Sequence, residues 1–286
     1  MTAVWLACLS AILFGSMSVG LRVGLSRYSD ADLATLCTVA GALVVGLVAA
    51  AAEAPSRGVH AGAAWPFVLA GLISPGAAQI LVTLAIREAG ASRSSVVLGA
   101  APLVSVTIAL IFLGEPVSVA LILGALLIVG GGLELAWERG RPDHVRRIGL
   151  VFAFVATVLF ALRDNLVRWL SGDTPVPPAA AAAAALLGGS VLLAVLLVPR
   201  LRTRPTLHQA LPFLGVGVLF GLSYVSLFEA YYRGRVTVVS PLVATESLWG
   251  VFLSLLLIQH RELVSRRIVV GALLVVTGGV LIGVYR

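Results

Sequence analysis

Residues 114–132 read GEPVSVALILGALLIVGGG and residues 261–279 read RELVSRRIVVGALLVVTGG. Glu115, Gly124 and Gly131-Gly132 of the first stretch are matched, each 147 positions later, by Glu262, Gly271 and Gly278-Gly279 of the second. A carboxylate followed by an apolar run with glycines at a constant offset marks an internal duplication. Toward the opposite ends of the two copies, Phe14 and Arg22 align with Phe160 and Arg168 at an offset of 146, a weaker match. The chain therefore divides into a first unit, residues 1–138, and a second, residues 147–286, joined by the charged linker 139–146.

Outward from these stretches the same apolar character continues. Of 286 residues 59% are apolar and 12% charged, and the mean hydropathy is +1.06, whereas globular chains are about 45–50% apolar and 25% charged. A soluble chain could not hide that surface, so the protein is integral to a membrane. Ten stretches are long enough to cross about 30 Å of hydrocarbon: 3–21, 32–52, 65–86, 94–113, 117–137, 147–170, 179–198, 210–232, 235–258 and 267–285. They are too long and uniform for the alternating strands of an outer-membrane barrel. Five spans per unit is an odd number, so the second unit lies upside down relative to the first. The predicted fold is all-α, with ten transmembrane helices as two inverted five-helix repeats. The connections average roughly 8 residues, so function must sit within the bilayer. The first span has no basic leader before it and reads as a permanent helix rather than a signal peptide.

All 20 basic residues are arginine, which excludes a P-loop ATPase and any lysine Schiff base. Fourteen of the arginines fall in the odd-numbered connections. The formal charge of +7 therefore reflects membrane orientation rather than nucleic-acid binding, and it places the odd connections in the cytoplasm and both termini outside. Cys8 and Cys37 lie in spans and imply neither a disulfide nor a metal site. His60, His144, His208 and His260 lie in or beside loops, and no cofactor is expected.

Pro102 in the fourth span, the Gly114-Glu115 turn thirteen residues beyond it, and a fifth span with Gly124 and Gly130, Gly131 and Gly132 at its end carry a resemblance. Together with the two five-helix halves, they look like the EamA family of the drug/metabolite transporter superfamily. The similarity covers essentially the whole chain. It implies a proton-linked or facilitative exporter or exchanger of amino acids, other metabolites or drugs in the bacterial inner membrane, and termini in the cytoplasm, opposite to the arginine count. The second unit departs from the pattern, with Trp249 where the proline would align and Arg261-Glu262 in place of Gly-Glu.

Ionisable groups in hydrocarbon cost at least about 2.5–3.5 kcal/mol, so those that occur face the bundle interior or a wet cavity. Arg163, Asp164 and Asn165 in span six and Glu246 in span nine pass this filter. Arg163, Asp164 and Glu246 are candidates for coupling, with protons as the coupling ion, or for a structural ion pair; Arg168 reads as a snorkelling interfacial residue. Around them the expected substrate-binding set is Ser16, Pro75, Gln79, Ser94, Pro102, Asn165, Tyr224, Glu246 and Trp249. Ser74-Pro75-Gly76, Pro102 and Ser240-Pro241 each remove a backbone N–H and free a carbonyl for a solute or cation. Tyr224 and Trp249 offer stacking surfaces, while Tyr231, Tyr232, Trp65, Trp137 and Trp169 read as the interfacial belt. The Gly114-Glu115 turn reads as a cap for nearby backbone donors. The glycines of spans five and ten permit close helix contact, within the chain or between two copies, so the protein is a monomer or a homodimer.

These features predict a secondary transporter, exporting small metabolites and most simply amino acids, that alternates access to a midplane site between the lipid-facing halves. A membrane enzyme acting on lipid head groups would need clustered His, Asp or Glu near one interface, and no such motif is present in the sequence. A purely structural subunit would not require broken helices in both units.

Overall fold

The computed structural model describes residues 1–28, 30–58, 60–89, 97–116, 118–136, 147–201, 206–257 and 266–285. Most of these are helical, joined by short turns and loops, with no strand among the described residues. The linker 139–146, Ser94 and Ser95, Trp137, His144, His260 and Arg261-Glu262 lie outside them.

In chain order the helices are α1 (Thr2–Arg27), α2 (Ala31–Arg57), α3 (Trp65–Gly71), α4 (Ala78–Ala89), α5 (Ala101–Phe112), α6 (Val119–Ala136), α7 (Arg147–Leu170), α8 (Pro178–Leu197), α9 (Leu207–Arg233), α10 (Val236–Val243), α11 (Glu246–Leu257) and α12 (Arg266–Tyr285). Among the described residues six apolar helical stretches are long enough to cross a bilayer, one of them combining α3 and α4, and shorter apolar helices occupy Ala101–Phe112, Val119–Glu134 and Val270–Ile282. The chain is a multi-pass membrane protein.

Helix starts follow local chemistry. The Asp30 carboxylate accepts the Leu33 N–H at the head of α2, and Thr206 and Gln209 form a reciprocal capping box at the head of α9. Gly58 ends α2 with φ +79°, a left-handed conformation that a side chain disfavours. Two helix starts are capped from elsewhere in the fold. The Glu53 carboxylate of α2 accepts the Ala179 N–H of α8, and Glu115, beyond α5, accepts the N–H groups of Val236 and Thr237 at the head of α10, both at 2.9 Å. The expected capping role of the Gly114-Glu115 turn is thus met across the two units.

The most extensive helix contacts all join a helix of residues 2–136 to one of residues 147–285. α2 packs along α9, α6 along α12, and α1 along α9, α10 and α11; α8 packs against α2 and α3, and α7 against α4 and α5. Numbered by span, these contacts pair off: first-with-eighth mirrors sixth-with-third, second-with-eighth mirrors seventh-with-third, and first-with-ninth mirrors sixth-with-fourth.

Lipid tails are as apolar as leucine, so close association needs small residues at the crossings rather than hydrophobic segregation. Ala181, Ala182, Ala185, Gly188 and Gly189 of α8 are buried, letting α3 approach backbone to backbone. A Cβ added to Gly188 would overlap the Val68 carbonyl, and one added to Gly71 would overlap the Ala185 carbonyl. The glycines that mark the duplication serve the same purpose inside the chain: Gly124 faces the Gly278 carbonyl, and Gly131 that of Gly271, where α6 crosses α12.

Gly188→Ala is expected to lower stability by about 1–3 kcal/mol through overpacking. Gly215→Ala, with nothing within 4 Å of the added methyl group, should be neutral or stabilising by up to about 1 kcal/mol. Thermal unfolding of the purified variants in detergent measures both.

Candidate functional site

Three broken helices surround the middle of the bundle. Between α3 and α4 the backbone leaves the helix at Ser74, with φ −150° and ψ 124°. The fourth span of the first unit has a short helical segment at Val97-Leu98, a turn at Gly99-Ala100 and then α5. Its counterpart in the second unit has α10, a turn at Ala244-Thr245 and then α11. Both resume as twelve-residue helices.

The prolines act differently from expectation in two of these places. Pro102 is the second residue of α5, where a missing N–H is one that a helix start leaves unpaired in any case, so it begins a helix instead of kinking one. Pro241 sits within continuous α10, and the break falls three residues later. That break makes Glu246 the first residue of α11 rather than a mid-helix side chain. Pro75 does open the backbone, and the freed carbonyl of Ser74 accepts the Tyr224 hydroxyl at 2.6 Å. Pro75 itself lies against Gly189.

Arg163, Asp164 and Asn165 of α7 are buried at 8%, 7% and 5% exposure. Charge this deep must be neutralised locally, and Arg163 Nε lies 2.8 Å from Asp164 Oδ1. Asp164 Oδ2 is 3.4 Å from the hydroxyls of both Ser105, on α5, and Ser240, on α10. Asn165 Nδ2 donates to the Ser105 carbonyl at 3.0 Å and to the Ala161 carbonyl at 2.8 Å. The Arg163 guanidinium lies 5.3 Å from the centroid of the Tyr224 ring, a cation–π contact in a water-poor setting. Tyr224 in turn belongs to an aromatic column on α9, flanked by Phe220 and Phe228. Phe14 of α1 and Phe67 of α3 close its two ends.

Glu246 lies within electrostatic reach of Arg163 and Asp164. Its backbone abuts Gly15 of α1, as does Trp249, whose ring meets Phe252 edge-on at 6.3 Å. The predicted set thus separates. Arg163, Asp164, Asn165 and Tyr224 form one cluster, with Glu246 near enough to share its electrostatics and Pro102 setting the start of the helix that supplies Ser105. Trp249 adjoins it along α11. The Ser16 hydroxyl is turned back to the Ile12 carbonyl of its own helix, Gln79 lies on α4, and Ser94 is outside the described residues.

Some partners were not apparent from sequence. Ser105 is fully buried, as is Tyr231; the expected place of Tyr231 in the interfacial belt is wrong, because its ring is enclosed and it shares the electrostatics of Asp164 and Arg163. Arg168 is also more than a snorkelling side chain: it donates to the Tyr231 carbonyl at 3.0 Å and approaches Glu115 at 3.8 Å. Depth alone would not reveal Tyr231, since it lies two residues from Arg233. Its helical phase would have helped, with Tyr224 and Phe228 seven and three residues earlier on the same face. Trp65 and Trp169 stay exposed, as an interfacial belt requires. Among the described residues no cluster of metal-ligating side chains occurs.

The EamA-like transporter family matches residues 1–134 and again residues 147–284. A Streptantibioticus cattleyicolor protein named "Probable terminal-alkyne amino-acid exporter" is 30% identical over 175 residues, covering 58% of this chain and 57% of that protein. The chain thus matches little more than half the length of this relative. A crystal structure of another protein superposes with a TM-score of 0.80 at 18% identity, covering 99% of this chain and 97% of the other. The whole fold is therefore shared with a solved protein.

Replacing Glu115 by Ala removes both acceptors at the head of α10 and is expected to cost about 0.5–2 kcal/mol of stability. Glu115→Gln, which keeps one acceptor oxygen but sets an amide donor against the other N–H, should lose about half as much or more, though less than the alanine variant. Thermal unfolding in detergent distinguishes the two.

Proposed function

Because the chain belongs to the EamA-like transporter family, and is a membrane transporter rather than an enzyme, we propose that it exports small amino-acid-type metabolites across the bacterial cytoplasmic membrane. In this reading two inverted five-helix units, 1–138 and 147–286, rock against each other around the Arg163–Asp164–Asn165 cluster. The family match falling once in each unit supports the duplication. The exchange of helix contacts, in which each pairing between units has its mirror, supports an inverted arrangement.

The observation that carries the proposal is the meeting of Ser105 and Ser240 at one carboxylate, Asp164. These serines belong to the broken fourth helix of each unit, so relative movement of the units changes what surrounds the charge. Arg163 and Asp164 present opposite charges to an ammonium–carboxylate solute, the Tyr224 face and Trp249 provide aromatic surface, and Asn165 fixes α5 against α7. Pro75 and Pro102 shape the helix breaks, and Ser16 and Gln79, on α1 and α4, are the further polar candidates for solute contact. Glu246 and Asp164 are the carboxylates available for proton coupling. The amino-acid class rests on the name of the relative, and the neighbouring charges of opposite sign are consistent with it.

L-Propargylglycine, an amino acid with a terminal alkyne, is a suitable probe. In reconstituted vesicles Glu246→Gln is expected to insert normally and to lower its flux about tenfold or more, equivalent to at least about 1.4 kcal/mol. A pH gradient should accelerate the wild type and leave the variant unaffected. Flux equal to wild type with the gradient response intact would remove Glu246 from the mechanism.

A further inference from the structure

Asp32 and Arg200 line one cleft of about 190 Å³. Among the described residues they pair neither with each other nor with any other side chain. Asp32 and Thr35 come from the first turns of α2, and Ile80, Thr83 and Leu84 from one face of α4. Arg200 closes the 3₁₀ turn that follows α8. None of these residues belongs to the Arg163–Asp164 cluster.

Two opposite charges that share a cleft without touching leave room for a molecule carrying both complements. The threonine hydroxyls donate to carbonyls of their own helices and keep lone pairs with which to accept. Ile80 and Leu84 add an apolar surface. Pockets for drug-sized ligands run to about 300–1,000 Å³, so this volume suits something smaller. We propose that the cleft is a second binding site, for a small zwitterion whose ammonium group meets Asp32 and whose acid group meets Arg200. The cleft lies where α2 begins and α8 ends, on the face of the odd-numbered connections that collects fourteen of the 20 arginines. By the positive-inside rule this is the cytoplasmic, loading side of an exporter, and with the termini in the cytoplasm it would be the release side.

Two sources present that chemistry, a free amino acid and the ethanolamine phosphate head group of a lipid. The solute arm rests on the amino-acid reading above; the lipid arm does not. Full-length protein in phosphatidylglycerol nanodiscs is titrated with radiolabelled L-propargylglycine in the Glu246→Gln background, so that binding rather than flux is read. If the solute occupies the cleft, Asp32→Asn and Arg200→Gln each weaken binding about tenfold or more, and Asp32→Glu and Arg200→Lys largely retain it. In the second arm phosphatidylethanolamine is added to the discs. If its head group is the occupant, the lipid raises the thermal stability of the parent protein but not that of the two neutralised variants. Either response supports the cleft and identifies its occupant. Neutralisation that alters neither probe's effect, or a parent protein that responds to neither, overturns it. Propargylglycine flux that survives both neutralisations unchanged, with binding equally unchanged, would reject the cleft while leaving the central site standing.

Discussion

A carboxylate placed among hydrocarbon must draw its stabilisation from the protein, and Asp164 draws its own from three helices. Arg163, its neighbour on α7, supplies the opposite charge at 2.8 Å. That pairing is between neighbours in sequence, held together in the folded bundle. The tertiary part comes from Ser105 and Ser240, which reach the other carboxylate oxygen from α5 and α10 at 3.4 Å each. Removing one partner from a buried ion pair costs far more than the pair itself contributes, because the remaining charge is stranded. The two broken helices are therefore tied to one charge, and the rest of the centre is arranged around keeping them there.

The same demand governs the backbone. Every carbonyl or N–H released by a helix break inside the bilayer must find a partner in the protein. Tyr224 supplies one to Ser74, and Glu115 takes two donors at the head of α10. Arg168 joins this second arrangement by donating to the Tyr231 carbonyl while standing near Glu115. One unit thus caps a helix of the other. The strongest contacts run between units for a related reason: with no water to drive segregation, association depends on close fit, and the glycine and alanine positions of α3, α8, α6 and α12 provide it.

Much of this was legible in the residues. The predicted spans 147–170, 179–198 and 210–232 agree with helix ends to within three positions, because a bilayer imposes a length and a polarity that no loop satisfies, whereas α1 and α2 run five or six residues further and 65–86 and 235–258 are each divided between helices. Arg163, Asp164 and Glu246 stand out because charge is rare at that depth; Arg163 and Asp164 are ion-paired in the structure. Hydropathy says little about a residue that is amphipathic, so Tyr231 was assigned to the interface although it is enclosed, and Ser105 passed unnoticed among other serines. Proline was similarly ambiguous. The residue type announces a disturbed helix, but whether it starts one, as Pro102 does, or sits within one, as Pro241 does, depends on the turns around it.

By itself the sequence determined that the chain lives in a membrane, that its apolar runs cross more than once, that it carries a duplication, and which charges would have to be accommodated. Those are matters of composition and period, fixed residue by residue by the cost of exposing polar groups to lipid. Only the tertiary structure decided which helices meet, that Glu115 serves a helix more than a hundred residues away, and that Asp32 and Arg200 share a cleft. Such contacts join positions distant in the chain, and their geometry follows from how small side chains let backbones approach, which no local pattern encodes.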